Sequence, residues 1–351
     1  MEDIFLLKAE KYLEKTSLKF DFGRAIIKPQ LPIKLKKNLN TFTSKNDWIN
    51  YGSWSGLETL RQKIAKINSP YRIGGISKEQ VIITSGATGA RLLYFKVINS
   101  KTILSKPYFF DYKEIKNSKV INIKNLDIFL NENYSYLISN PNNPKGISLN
   151  QDELNHLGKL TIKHKSHLVI DSSYRGFEIN NQNYKLPKHT WEFISIGKSL
   201  GMTDLRIGAL IIPKSVIKNK NLINLLHKEQ NSLSISISQH EQKRALDKLD
   251  LLDEFQKISR KHLNKLNVYF MKKINLCKNL SYVSGGDAGI NLIKYNSNKS
   301  SREIVWNLLK KEGIYVMPGD DFGIQKHIRI CIGASSTKGI DYLFSILPKY
   351  I

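Results

Sequence analysis

The alternation of apolar and amphipathic segments between residues 81 and 212 constrains the fold more than any other feature of this sequence. Residues 81–84 and 168–170 are almost entirely apolar, which is typical of strands buried on both faces of a sheet. Residues 90–98 instead carry apolar side chains at helical spacing. Alternation of this kind predicts an α/β protein in which helices cover both faces of a mainly parallel sheet, a three-layer αβα arrangement.

The same pattern predicts the other elements of this sheet. Asn150 and Glu153 have the spacing of a capping box and predict a helix that ends near residue 163. Further strands are predicted at residues 102–104, 120–123, 136–139, 193–196 and 207–212.

Sheets of this kind bind ligands beyond the carboxyl ends of their strands, so polar residues that follow a strand are candidate site residues.

The pattern changes after residue 238. Apolar residues that recur along one face predict a single long amphipathic helix, and they are Leu246, Leu249, Leu252, Phe255 and Ile258. Beyond it, strands are predicted at residues 290–293, 314–317 and 328–332, and helices at residues 302–311 and 341–347. This mixture predicts a smaller α+β domain at the C-terminal end.

We therefore predict three parts. Residues 1–44 form an N-terminal arm that packs with the small domain, residues 45–238 form the large domain, and residues 239–351 form the small C-terminal domain. Within the arm, residues 4–13 predict a short helix and residues 20–23 an extended piece.

Composition argues against several classes of protein. Only two cysteines occur in 351 residues, so we expect no disulfide framework, no metal site and a reducing, cytoplasmic location. No apolar run approaches the roughly 18 residues of a membrane span, and the acidic start is unlike a secretory signal. The net charge of +25 suits nucleic acid, a membrane or an acidic ligand. Because the lysines are spread along the chain, we expect general lysine bias and no nucleic-acid partner.

Lys198 is the first candidate for chemistry. It lies among small residues between two predicted buried strands, whereas other lysines of this chain stand in polar clusters. A lysine amine partly removed from water can act as a nucleophile that forms a Schiff base with a carbonyl compound. The plainer alternative is a loop lysine between two strands.

A second group of residues suits a phosphate. Gly86, Ala87 and Thr88 precede a predicted helix, and the backbone N–H groups at a helix N-terminus attract anions. Arg206 would add a charge-assisted contact of roughly 1.5–3 kcal/mol, and Ser195 would add a hydroxyl. An ordinary strand–helix turn is the alternative for Gly86 to Thr88.

Three further residues follow predicted strands or interrupt them. Asn143 lies in the rigid segment Asn-Pro-Asn-Asn-Pro-Lys-Gly, which either aims an amide or forms a structural turn. Asp171 ends a buried strand, with Tyr174 three residues later, and it either holds a protonated ring nitrogen or caps a turn. Arg329 lies within an apolar strand and requires a carboxylate, from a substrate or from an internal acidic residue.

The order of these motifs resembles that of the fold-type I pyridoxal-phosphate enzymes, specifically the class I and II aminotransferases and their histidinol-phosphate aminotransferase-like relatives. The matches run from Tyr51 to Arg329 and include Tyr51 with Gly56, Leu60 and Arg61, then Gly86-Ala87, Pro107-Tyr108-Phe109, the Asn-Pro segment, Asp171 with Tyr174, and Lys198 with Arg206.

The resemblance implies a role for each matching residue. Lys198 would form the Schiff base with pyridoxal 5'-phosphate and move the proton at the substrate Cα, while Asp171 would keep the pyridine nitrogen protonated. Asn143 and Tyr174 would bind the ring oxygen. Phe109 would stack on the pyridine ring. The phosphate would be bound by Gly86, Ala87, Thr88, Ser195 and Arg206. Substrate would be bound by Arg329, Asn143 and the arm residue Gly23.

The resemblance also implies an assembly and a reaction. Tyr51 would reach the phosphate of a neighbouring subunit, so a homodimer with shared active sites is expected. The expected reaction moves an amino group between an amino acid and a 2-oxo acid or a related carbonyl compound. A decarboxylase, lyase or oxidase acting on an amino acid is the alternative, because one cofactor supports all these reactions. A regulator that binds DNA would need an added domain, for which the arm is too short.

The sequence departs from the family pattern at several positions. Lys145 stands where threonine is usual, and Gly197 stands where serine or threonine precedes the lysine. Ser172 and Ser173 follow Asp171, where Glu-Ala or Glu-Val is frequent. These departures leave the substrate open.

Overall fold

A computed structural model describes residues 9, 12, 16, 18–23, 27, 29–40, 52–179 and 183–351. Tyr51 and most of the helix predicted at residues 4–13 lie outside these residues. Within them, no helix combines the length and the apolar composition that are needed to cross a bilayer.

The strands in chain order are β1 (Phe20–Asp21), β2 (Val81–Thr84), β3 (Lys101–Ser105), β4 (Ser118–Ile121), β5 (Tyr134–Ser139), β6 (His167–Asp171), β7 (Trp191–Ser195), β8 (Gly208–Ile211), β9 (Leu280–Gly285), β10 (Ile290–Tyr295), β11 (Ile314–Tyr315), β12 (Met317–Pro318) and β13 (His327–Cys331).

The α-helices are α1 (Ile33–Asn40), α2 (Glu58–Asn68), α3 (Gly86–Val97), α4 (Leu126–Phe129), α5 (Gln151–Lys163), α6 (Ile196–Ser199), α7 (Lys214–Ile217), α8 (Lys220–Ser234), α9 (Gln239–Lys248), α10 (Leu252–Ile274), α11 (Ser301–Glu312) and α12 (Thr337–Ile346).

The large sheet has seven strands in the order β2-β8-β7-β6-β5-β3-β4. The pairs between β7 and β4 are all parallel, whereas β8 is antiparallel to both of its neighbours. The prediction of a mainly parallel sheet is therefore confirmed, with β8 as the exception.

Helices cover both faces of this sheet. On one face, Leu93 and Tyr94 of α3 pack against strand residues such as Phe193 and Leu210. On the other face, Leu60 of α2 packs beside Ile194, and α5 covers the neighbouring strands. Strands that are buried on both faces need apolar residues at every position. This explains the continuous apolar segments that alternate with helical segments along the sequence. The three-layer αβα prediction is confirmed.

The C-terminal region forms a smaller antiparallel sheet in the order β12-β13-β10-β9. It shares an apolar core with α10, α11 and α12, which confirms the predicted smaller α+β unit. β1 pairs in parallel with β11, and Phe22 is fully buried in the same core. The division into residues 1–44, 45–238 and 239–351 stays a prediction.

Two predicted elements are wrong. The single helix expected over residues 246–258 is broken into α9 and α10 by a 3₁₀ turn at Leu249–Leu251. The single strand expected at residues 314–317 is two strands, because β11 pairs with β1 and β12 pairs with β13. The other elements predicted within the described residues are present, with ends that differ by a few residues.

Candidate active site

The carboxyl ends of four strands meet at one edge of the large sheet. The parallel strands β5, β6 and β7 end there at Ser139, Asp171 and Ser195. β2 runs in the same direction, because β8 lies antiparallel between it and β7. Thr84 at the end of β2 and Ser195 are accordingly both paired with Gly208. Residues that follow these four ends are brought together, although Thr84 and Ser195 are 111 positions apart in the sequence.

The end of β2 leads into an anion-binding arrangement. Gly86 begins α3 with a φ of +67°, and a Cβ added there would lie 3.0 Å from Nη2 of Arg206. Ala87 and Thr88 occupy the first turn of the same helix. Arg206 is exposed, adopts a left-handed φ of 49° and donates from Nη1 to the Thr203 carbonyl at 3.4 Å. A guanidinium thus lies directly beside a helix N-terminus, and both favour negative charge.

Lys198 follows β7 in the short helix α6. Its Nζ donates a hydrogen bond to the Tyr174 hydroxyl at 3.0 Å and lies 4.2 Å from the centre of that ring. The backbone N–H of Lys198 donates to Ser195 Oγ at 3.4 Å, and Ser195 is buried. The amine is therefore half-buried and held by a specific contact, unlike a freely solvated loop lysine.

Asp171 uses both of its carboxylate oxygens. Oδ1 accepts from the Ser173 backbone N–H at 2.9 Å and from the Ser173 hydroxyl at 2.5 Å. Oδ2 accepts from the Tyr112 hydroxyl at 2.7 Å. The carboxylate caps the turn after β6, which was one alternative, and at the same time faces the aromatic segment after β3.

Asn143 and Arg329 form a pair that spans the two sheets. Arg329 Nη1 donates to Asn143 Oδ1 at 3.0 Å, and Nη2 donates to the Gly23 carbonyl oxygen. Arg329 is only 3% exposed, and its Nε has no hydrogen-bond partner. Within the described part of the chain it forms no ion pair with an aspartate or a glutamate. Arg329 thus contacts both of the other residues that were predicted to bind substrate, Asn143 and Gly23.

Phe109 lies on the segment between β3 and β4. Its ring centre is 4.5 Å from that of Phe110 and 5.4 Å from that of Tyr112, and the side chain is half-buried. Because Tyr112 also contacts Asp171, this ring belongs to the same neighbourhood. Phe322 extends it to the small sheet, since its ring lies 6.0 Å from Phe110 and 5.1 Å from the guanidinium carbon of Arg329.

Four residues of this neighbourhood were not predicted from the sequence, namely Tyr112, Ser173, Gly208 and Phe322. Ser173 follows Asp171 by two positions, a spacing at which an aspartate often bonds a turn, so that signal was present. The place of Tyr112 depends on the 3₁₀ helix Phe110–Glu114, and those of Gly208 and Phe322 on strand pairing and on packing between sheets. Tyr51 lies outside the described residues.

Comparison with known proteins supports one family. The family model described as aminotransferase class I and II matches residues 21–347. The aspartate aminotransferase of Pyrococcus horikoshii is 24% identical over 327 residues, which cover 84% of this chain and 81% of that protein. The L-serine phosphate decarboxylase Cj1436c of Campylobacter jejuni is 25% identical over 277 residues, which cover 70% and 68%. A solved aspartate aminotransferase of Thermus thermophilus with maleate superposes with a TM-score of 0.83 at 19% identity, over 99% of this chain and 95% of that one.

Proposed function

Because this chain belongs to the class I and II aminotransferase family, a family that uses pyridoxal phosphate, we propose that it moves an amino group between an amino acid and a 2-oxo acid or a related carbonyl compound. Lys198 is the residue that joins the cofactor covalently in this proposal.

The residues of the site fit the cofactor. Lys198 supplies the amine, Asp171 the negative charge and the first turn of α3 the anion site. A side chain at position 86 would fill the space beside Arg206, so glycine keeps the helix N-terminus open to a phosphate. When bound, pyridoxal phosphate acts as an electron sink for the bond broken at the substrate Cα.

Proton movement falls to Lys198 and its neighbours. The hydrogen bond from Nζ to the Tyr174 hydroxyl fixes the direction of the amine, so a proton moved at the substrate Cα has one defined acceptor. Asn143, 2% exposed and bonded through its backbone N–H to Ser139 Oγ at 3.0 Å, has little freedom to rotate away. Positioning of this kind supplies much of the rate in such reactions.

The buried pair of Arg329 and Asn143 carries the proposal. A guanidinium with no internal carboxylate among the described residues suits the α-carboxylate of an amino acid, bound in a charge-assisted contact. That contact stabilises the carboxylate charge. Decarboxylation removes the same charge in its transition state, so this contact raises the barrier to carbon dioxide loss relative to proton removal. Proton removal, with which aminotransfer begins, is favoured over decarboxylation for this reason.

A decarboxylase is the second candidate, and the similarity to L-serine phosphate decarboxylase Cj1436c is the observation that favours it. The two are separated by mixing the holoenzyme with a panel of amino acids and measuring pyridoxamine phosphate, carbon dioxide and ammonia. Aminotransfer yields stoichiometric pyridoxamine phosphate without gas or ammonia. Release of carbon dioxide or ammonia without pyridoxamine phosphate would contradict the proposal.

The proposed assembly is a homodimer in which Tyr51 completes the neighbouring site, in the cytoplasm. A mixing experiment tests the shared site. Lys198→Ala and Tyr51→Ala subunits are each expected to be inactive alone, whereas mixed dimers hold one intact site. Reassembly from equal amounts is then expected to recover about a quarter of the wild-type activity. No recovery, with mixed dimers demonstrated by mass, would contradict the shared site.

A further inference from the structure

Among the residues that the structure describes, three hydrogen bonds reach the Asp171 carboxylate, which leaves one of its acceptor positions. An ionised carboxylate offers about four lone-pair positions, two on each oxygen. On Oδ1 both are taken, by the backbone N–H and the hydroxyl of Ser173. On Oδ2 one is taken, by the Tyr112 hydroxyl at 2.7 Å. A protonated ring nitrogen that pairs with Asp171 is thereby directed to Oδ2.

The chemical nature of each group decides which one donates in these hydrogen bonds. A backbone N–H can only donate, so Ser173 presents Oδ1 with one donor that no side-chain change removes. Burial, and then the charge of Asp171, raise the pKa of Tyr112 well above its usual value, so its hydroxyl keeps the proton. The Ser173 hydroxyl is thus the donor on Oδ1 that a side-chain substitution can remove.

The neighbouring serine makes a different contact. Ser172 and Ser173 are both buried, with 2% and 3% of their surface exposed. The Ser172 hydroxyl accepts from Arg175 Nη2 at 2.9 Å, in an ion cluster with Glu192. It makes no hydrogen bond to Asp171 in the described part of the chain. Two adjacent buried hydroxyls therefore differ in whether they reach the carboxylate.

We propose that Ser173 is a positioning residue, whose hydroxyl occupies the second acceptor position of Asp171 Oδ1 and sets how strongly the carboxylate holds the proton of the cofactor ring nitrogen. This inference rests on the proposed function, because it needs a pyridine ring beside Asp171. A charge-assisted hydrogen bond draws negative charge from the carboxylate, so each additional donor weakens the pairing with a protonated nitrogen. Ser173 thus lowers the proton affinity of the ring nitrogen and with it the strength of the electron sink.

The test uses holoenzyme loaded with pyridoxal phosphate that carries ¹⁵N at the ring nitrogen. Nuclear magnetic resonance across a pH series reports the protonation of that nitrogen. Ser173→Ala is compared with the wild type, with Ser172→Ala as matched control and with Asp171→Asn as positive control. Ser173→Cys, which keeps the size and is only a weak donor, replaces Ser173→Ala if that variant does not fold. Melting temperatures establish that each variant is folded.

Ser173→Ala is expected to raise the midpoint of ring-nitrogen deprotonation by about 0.5–1 pH unit, a three- to tenfold change in the equilibrium. Ser172→Ala is expected to match the wild type. Equal midpoints for Ser173→Ala, Ser172→Ala and wild type, together with a changed signal in Asp171→Asn, would overturn the inference and leave the proposed function standing. An unchanged signal in Asp171→Asn, or no bound cofactor, would overturn both.

Discussion

Arg329 donates a hydrogen bond from Nη1 to Asn143 Oδ1 at 3.0 Å, across a sequence separation of 186 residues. Arg329 belongs to β13 of the small sheet, and Asn143 belongs to the loop that follows β5 of the large sheet. A carboxylate bound to this guanidinium is therefore held between the two sheets, next to the edge where Lys198 and Asp171 lie.

Arg329→Lys is expected to lower kcat/KM for the amino-acid substrate about 10- to 100-fold. The change keeps the charge but removes the planar fork, which costs a charge-assisted contact of about 1.5–3 kcal/mol. Steady-state kinetics measure it. Arg302→Lys is the control, because Arg302 pairs with Asp321 rather than with the site. Equal kinetics for the Arg329→Lys variant and the wild type would remove Arg329 from the substrate site.

Gly86→Ala is expected to raise the dissociation constant for pyridoxal phosphate by about tenfold. The new Cβ lies 3.0 Å from Arg206 Nη2 and displaces the guanidinium from the helix N-terminus. Gly74→Ala is a matched control, since Gly74 also has a positive φ, of +83°, but has no atom within 4 Å of the added Cβ.

Both alanine variants are expected to lose about 1 kcal/mol of unfolding free energy through backbone strain. Only Gly86→Ala is expected to bind the cofactor more weakly, as measured by absorbance titration. The same loss of affinity in both variants would mean that strain, and not the contact with Arg206, controls binding.

The unfolding free energy is expected to fall as the pH drops below about 6.5. His167 accepts a hydrogen bond on Nδ1 from Trp191 Nε1 at 3.2 Å, and burial lowers its pKa. The unfolded chain then binds a proton that the folded protein excludes. The stabilisation is complete at pH values above the pKa of this histidine in the unfolded chain. It is lost as the pH falls toward the lower pKa of His167 in the folded protein, by up to about 1.4 kcal/mol per pH unit.

Urea unfolding at pH 7.5 and 5.5 measures this loss. His167→Gln is expected to reduce the loss, because the glutamine carbonyl accepts from Trp191 without titrating. Burial also lowers the pKa values of His189 and His262, so part of the loss is expected to remain. His156→Gln, at an exposed position, is expected to leave the pH dependence as it is in the wild type. If His167→Gln retains the full loss between the two pH values, another group is responsible.

Local signals in the sequence predicted much of the fold. The capping box of Asn150 and Glu153 is present, with both reciprocal hydrogen bonds, and α5 begins and ends where it predicts. The break between α9 and α10 was not predictable in the same way. Apolar residues at a strict three-residue spacing suit a 3₁₀ turn better than an α-helix of 3.6 residues per turn. No proline or glycine marks the break.

The features that could not be predicted from the sequence depend on contacts between residues far apart in the chain. The split between β11 and β12 follows from pairing with two different partners, one of which is the short arm strand β1. The contact of Tyr112 with Asp171 joins residues 59 positions apart and has no sequence pattern. The candidate residues on strand ends were predictable because parallel strands bring their carboxyl ends to one edge.

Borohydride reduction of the yellow holoenzyme, followed by peptide mass spectrometry, tests directly whether Lys198 carries the cofactor. One cofactor adduct is expected, on the peptide that contains Lys198. Lys198→Ala is expected to lose the adduct and about 10²- to 10⁴-fold in activity, while Lys214→Ala, a change at an exposed lysine, keeps both. An adduct on another lysine, or a Lys198→Ala variant with unchanged absorbance and activity, would contradict the assignment of Lys198.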